Sequence, residues 1–171
     1  MEGEGVKTSG PPGALAHGTE AEAVEPVPSV VLSGELSEPA RLTVAQLRDW
    51  PQYPTRVSFD CATNGVRRHA FTGPLLHDVT VFAVPGLVPA QRRDRARFLL
   101  CVTGADGHQA VLSWAEIDPE FSRHPVLLAT RANGVPLDRQ GPQLVVPHDR
   151  CGSRYISAVT HIWVGAHLTA P

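Results

Sequence analysis

The sequence predicts an α+β domain in which short strands and short helices are mixed irregularly, rather than a chain of alternating β-α-β units. Three observations lead there. The 171 residues are 42% hydrophobic, enough for one domain with a real core. Sixteen prolines and fifteen glycines break the chain into short pieces, so turns are frequent and a helical bundle is excluded. Apolar residues recur mainly in brief extended runs, with helical spacing confined to a few short stretches.

In order, the chain opens with a segment rich in Gly, Pro, Glu and Ala that shows no hydrophobic period. It buries too little apolar surface to offset the entropy of ordering, so residues 1–28 read as a disordered tail and residues 29–167 as the single domain. SVVLSGEL predicts a strand closed at Ser33-Gly34. Thr43 is placed to cap a short helix, VAQLRDW, with Val44, Leu47 and Trp50 on one face and Pro51 and Pro54 ending it. Pro74 suits the first position of a helix, PLLHDVTVFA, with Leu75, Leu76 and Val79 inward. PGLVPAQRRDRAR reads as a solvated basic loop. RFLLCVTG and HQAVLS predict a hairpin around Ala105-Asp106-Gly107, and Ser113 caps the helix WAEIDPEF. PVLLATRANG is a strand running into an Asn-Gly turn, LVVP a further short strand. The last element, RYISAVTHIWV, is apolar on both alternating faces, which predicts a strand covered on both sides.

Composition bounds the partners. The net charge is -2 and no basic stripe with interleaved aromatics is present, so nucleic acid is not an expected partner. Apolar runs fall well short of the roughly 20 residues of a membrane span, so no membrane is expected. The N-terminal residues show neither a basic region before an apolar one nor a twin arginine, so the expected location is cytoplasmic. The three cysteines, Cys61, Cys101 and Cys151, are too few and too far apart for a disulfide framework or paired zinc ligands. Cys101 lies in an apolar run and is expected in the core. Cys61 and Cys151 lie in polar, Gly-containing loops, where chemistry is possible.

The chain is organised around RVSFDCATNGVRRHAFTGPLLHD, Arg56 to Asp78. An alternating strand runs into Cys61, through an Asn-Gly turn carrying Arg67 and Arg68, and back through His69 and Phe71. A thiol where a strand meets an arginine-rich loop has positive charge and free N–H groups near it, a place to hold a metal or an anion. On these residues alone, Arg67 and Arg68 point to opposite faces of a strand and either could serve the site.

VLSGELSEPARLTVAQLRDWP, FDCATNGVRRHAFTGPLLHDV, VTGADGHQAVLSWAEI and LLATRANGVPLDRQGPQLVVPHDRCGSRYISAVTHIWV follow one another in an order that resembles the molybdopterin-binding oxidoreductase domain of the sulfite oxidase family, over about Val30 to Val164. The resemblance implies that family's mixed-sheet, barrel-like fold with short helices, and molybdenum-molybdopterin (Moco) as cofactor. It implies Cys61 as the only protein ligand to the metal and Asn64 as a residue near the pterin. Gly152, Ser153 and Arg154 match the loop that holds the pterin phosphate. A soft, anionic thiolate suits molybdenum and a guanidinium suits phosphate. Two positions depart from the family: Val66 stands where sulfite oxidases carry a substrate-binding arginine, and Ser157 where a second basic residue is usual. Sulfite is therefore not the expected substrate.

The implied function is oxygen-atom transfer or reduction on a small substrate, with Arg67 drawing in an anion and electrons exchanged with an unspecified transfer partner. The alternatives are a binding or interaction module that keeps the fold without the metal, and a thiol redox sensor at Cys61. His148, Asp149, His69 and Tyr155 are secondary candidates, each also accounted for as a turn, edge or packing residue.

Overall fold

The computed structural model describes residues 27–34, 37–61, 65–83 and 91–166; for residues 37, 38, 59–61 and 67 the description extends to the backbone alone. Residues 1–26 of the expected tail and Asn64 lie outside these residues, as does the first part of the expected basic loop.

Strand β1 (Ser29–Gly34) pairs antiparallel with β2 (Ser37–Thr43) and parallel with the last strand, β11 (Val159–Ala166). β2 has no strand signature in sequence, because Pro39 cannot donate to a ladder; it forms because it lies at the sheet edge, where a proline is tolerated. Helix α1 (Val44–Arg48) starts as expected: Thr43 Oγ1 accepts from the N–H of Gln46 at 3.2 Å, and Gln46 Oε1 accepts from the N–H of Thr43 at 2.8 Å. β3 (Tyr53–Cys61) and β4 (Gly65–Gly73) form the long hairpin, followed by α2 (Leu76–Ala83), which begins two residues after Pro74. Part of the expected basic loop is a single helical turn, α3 (Arg92–Arg95).

β5 (Phe98–Gly104) and β6 (Gln109–Ser113) are the expected hairpin, with Gly107 at φ +82° and Asp106 Oδ1 accepting from the N–H of His108. α4 (Trp114–Ile117) is shorter than expected and stops at Asp118. β7 (Leu127–Ala129), β8 (Arg131–Ala132) and β9 (Val135–Pro136) follow, the last two joined through Asn133 and Gly134, both at positive φ as a two-residue hairpin turn requires. β10 (Gln143–Val145) and a 3-10 turn at Gly152–Arg154 complete the list before β11.

The order β2-β1-β11-β5-β6 makes a mixed five-stranded sheet, β3-β4-β8-β9 an antiparallel one, and β10-β7 a two-stranded ribbon. The expected α+β class and mixed sheet are present; the barrel-like element is corrected, since neither larger sheet closes on itself among the described residues. β11 starts later than expected. Ala158 has φ +49°, and the backbone before it bonds elsewhere: Ile156 O accepts from Leu144 N–H and Ala158 O from Ala105 N–H. One face of β11 is fully buried through Ile162 and Val164, while His161 and Trp163 opposite are half-buried.

The main core lies between the five-stranded sheet and the helices, with Leu32, Leu47, Leu76, Leu100, Trp114 and Ile162 fully buried. Cys101 is not in it: on β5 the even positions are buried and Cys101 sits on the half-exposed face. A second cluster, Val57, Phe71, Leu127, Ala129, Val145 and Tyr155, joins the hairpin to the ribbon. Gly73 sets their spacing, since a Cβ there would lie 2.4 Å from the carbonyl oxygen of Leu128.

Candidate functional site

The β3–β4 register pairs Val57 with His69, Phe59 with Arg67, and Cys61 with Gly65. Directly opposite residues share a face and alternate positions switch it, so these positions fall on the face of Val57, and Arg56, Ser58, Arg68 and Ala70 on the other. The two arginines are thus separated by strand alternation: Arg68 is exposed, and it lines a groove of about 400 Å³ to which both ladder faces contribute, Arg56 and Ser58 from its own and Val57 and His69 from the other, with Asn133. Gly65 holds φ +66° and a Cβ there would meet nothing within 4 Å, and Val66 beside it is exposed. Cys61 therefore ends β3, opposite Gly65 at the start of β4. His69 is bound to the fold: its ring stacks on Phe71 at 5.6 Å and Nδ1 lies 3.2 Å from Asn133 Nδ2.

The C-terminal loop reaches the same face. The 3-10 turn lies against β3, and Tyr155, just after it, packs in the second cluster and donates from its hydroxyl to the carbonyl of Val146 at 3.0 Å. Burial, with Asp149 adding to it, pushes the Tyr155 phenol up to about 12. Cys151 is exposed; its thiol is held below the ordinary range chiefly by the hydroxyl and N–H of Ser153, with Sγ 3.2 Å from Oγ.

Arg154 is engaged on three nitrogens. Nε and Nη2 donate to Asp149 at 2.9 and 2.6 Å, and Nη1 donates to Glu116 Oε1 at 2.7 Å. The two carboxylates raise the guanidinium's pKa above its already high value. Burial disfavours the charge on Glu116, but donation from Arg154 and from Ser113 outweighs it and its carboxyl lies below the usual range. A cavity of about 150 Å³ opens beside this cluster, lined also by Ser122, His124 and His148, whose imidazole rings lie 3.8 Å apart.

Sequence reasoning named Arg154, His148 and Asp149 but missed Glu116 and His124. The only local signal at Glu116 is the Ser-x-x-Glu spacing, and that points to a helix start: Ser113 N–H donates to Glu116 Oε2 at 2.7 Å. Nothing near it in sequence announces a contact with a residue 38 positions away.

With strand, tip and loop in place, the chain was compared with known proteins. The profile of the oxidoreductase molybdopterin-binding domain matches residues 28–169. This chain belongs to that family. Its fold is similar to the crystal structure of the sulfane dehydrogenase SoxCD from Paracoccus pantotrophus, with a TM-score of 0.61 and 20% sequence identity. The likeness covers 80% of this chain but only 38% of that one, so this molybdopterin-binding domain spans well under half the length of its structural neighbour. A search of curated protein sequences returned no match. The resemblance read from the sequence motifs is thereby borne out at the level of family and fold.

The two ends of the family's cofactor site differ in how well this molybdopterin-binding domain suits them. A thiol residue at the end of a strand is of the soft, anionic donor type that suits molybdenum. Among the described residues there is no group of three or more His, Cys, Asp or Glu that could hold a metal. At the other end the arrangement does not fit phosphate. Among the described residues Arg154 is the one arginine or lysine lining the cavity, and the carboxylates of Asp149 and Glu116 outnumber it. No described helix is long and apolar enough to cross a membrane.

Proposed function

We propose that this domain serves molybdopterin-dependent redox chemistry on a small substrate, either oxygen-atom transfer or reduction, with Cys61 as the protein's ligand to molybdenum. The observation that carries the proposal is the position of Cys61, at the end of β3 opposite Gly65 and on the ladder face toward which Tyr155 and the 3-10 turn pack. When bound, the cofactor supplies two-electron redox capacity, and the protein supplies ligation, orientation and field. Arg67, on the same ladder face as Cys61, is the residue proposed to attract an anionic substrate; Arg68, on the outer face, is not. Asn64, Gly152 and Ser153 are proposed as cofactor contacts. Residues 29–167 are proposed as the functional unit and residues 1–28 as an appended tail. Sulfur compounds other than sulfite are the first substrates to screen, in view of the sulfane dehydrogenase of similar fold and of Val66.

A second reading has its own support: a binding module that keeps the fold without the metal. The observation favouring it is the engagement of Arg154 by Asp149 and Glu116. The deciding experiment is expression in a host competent for molybdenum cofactor synthesis, with molybdenum and released pterin measured per chain for the unaltered protein and Cys61→Ser. Stoichiometric metal that the substitution abolishes supports the enzyme. Absence of metal from both, beside a loaded control from the same host, selects the module.

A further inference from the structure

β3 is an outer strand of its sheet, and the hydrogen bonds of β4 show which of its residues face the open edge. Ala70 turns both backbone groups away from β3: its N–H donates to Asn133 Oδ1 at 2.9 Å, and its carbonyl accepts from Asn133 N–H at 2.6 Å. The Thr72 carbonyl likewise accepts from Thr130 N–H. In an antiparallel pair, directly opposite residues either exchange both bonds or turn both away, in alternation. Arg56, opposite Ala70, and Pro54, opposite Thr72, therefore present their backbone to the open edge, as does Ser58 two residues on. Among the described residues no backbone bond reaches that edge.

The side chains beside it carry one sign of charge. Arg56 and Arg68 are exposed, stand at diagonal positions on one ladder face, and line the groove of about 400 Å³ that Asn133 also lines. A second groove of about 510 Å³, over Pro54, Thr55, Phe71 and Thr72, shares Arg56 and Ala70 with the first and continues it along the hairpin. Neither arginine has an ion pair or a side-chain hydrogen bond among the described residues.

We propose that the open edge of β3 docks an extended acidic segment of a partner protein, which joins the sheet as a further strand with carboxylates at alternate positions. Backbone pairing comes from Arg56 and Ser58, each offering an N–H and a carbonyl. Recognition comes from charge, because alternate side chains of the added strand share the face of Arg56 and Arg68. Asp60 is next on that ladder face, so the acidic positions fall opposite Arg56 and Ser58 and not beyond them. Pro54 offers the edge no N–H and bounds the ladder on its other side. A second copy of the chain is the poorer occupant, since pairing β3 with itself sets these arginines against one another. The surface does not depend on the cofactor reading: both arginines lie on the ladder face opposite Cys61 and Arg67.

The test uses the full chain and a capped nine-residue peptide of alternating Glu and Thr. Two control peptides accompany it, one with Lys in place of Glu and one N-methylated at alternate residues, which keeps the charge and blocks pairing. Fluorescence anisotropy gives affinities for the unaltered protein and for Arg56→Gln combined with Arg68→Gln. The expected result is binding of the acidic peptide alone, weakened about tenfold in the double variant, the scale of two exposed charge contacts. On the unaltered protein, amide exchange followed by NMR should show the N–H groups of Arg56 and Ser58 protected once the peptide is bound. Equal affinity of the Lys peptide, or of the double variant, overturns recognition by charge. Full affinity of the N-methylated peptide, or unprotected Arg56 and Ser58 amides, overturns strand addition. Protection of the same amides without peptide, with a dimer in sedimentation, gives the edge to a second copy and overturns the proposal.

Discussion

Asp118 and Trp114 are joined inside the protein, where the indole Nε1–H donates to the carboxylate Oδ2 at 2.7 Å and both residues are fully buried. The same oxygen accepts from Nη1 of Arg95 at 2.5 Å, and Oδ1 accepts from the N–H of Glu120 at 2.9 Å. Arg95 also pairs with Glu120 through Nη2. One carboxylate thereby ties α4, α3 and the turn after Asp118 together, every contact of it satisfied by a donor.

Asp118→Ala is expected to cost about 2–4 kcal/mol, since it leaves the indole N–H unpaired and takes from the largely buried Arg95 its buried partner, with Glu120 still bound to it. Urea denaturation measures it. A loss below about 1 kcal/mol, the range of exposed pairs, would show that the ion pair is not a joint of the fold.

Adjacent residues of β5 should respond very differently to truncation. Leu100 is fully buried, so Leu100→Ala is expected to cost about 2–5 kcal/mol through lost burial and the cavity left behind. Cys101→Ala, on the half-exposed face, is expected to cost well under half as much. Comparable losses would contradict the alternation.

Gly73→Ala introduces a Cβ 2.4 Å from Leu128 O and 2.5 Å from Ala129 Cα, both backbone atoms that cannot swing aside. The expected loss is about 3 kcal/mol, the upper part of the range for overpacking. A melting temperature equal to the unaltered protein's would mean that β4 and β7 have slack between them.

Stability should fall at both ends of the pH range, for opposite reasons. Tyr155 is raised in the fold from 10.0 to about 12, so its contribution is whole below pH 10 and lost as pH climbs through 12. In a Tyr53→Phe background the remaining phenol should ionise near 12, and ionisation near 10 in the folded protein would refute its burial. On the acid side, Asp138 is depressed by donation from Arg48, and Glu116 is depressed by Arg154 and Ser113 against burial. Their contributions are present above the unfolded carboxylate values and lost as pH falls through the lower folded ones. Arg154→Gln should make the acid loss shallower, measured as unfolding free energy against pH.

Local chemistry was readable from the chain. Thr43 with Gln46, Asn133-Gly134 and the Ala105-Asp106-Gly107 hairpin each depend on neighbours within a few residues, and each appears where expected. The motif order also sufficed for the family, whose profile spans residues 28–169. What failed were judgements about surroundings. β2 went unassigned because the benefit of forming it comes from the neighbouring β1, and Cys101 looked buried because a run of apolar residues does not say which of its two faces meets the core.

Only the tertiary structure decided which side each arginine takes and what Arg154 touches. Alternation separates Arg67 from Arg68, but the register of β3 on β4, nine residue pairs long, sets Arg67 opposite Phe59 and Arg68 opposite Ser58. The meeting of Arg154 with Glu116 is set by how α4 and the C-terminal loop pack around a common core, and a charge shows in sequence whether or not an opposite charge arrives beside it. Residue types and spacings thus determine local backbone shape and family, because both are short-range. Occupancy of a charged site is a long-range sum, and folding alone completes it.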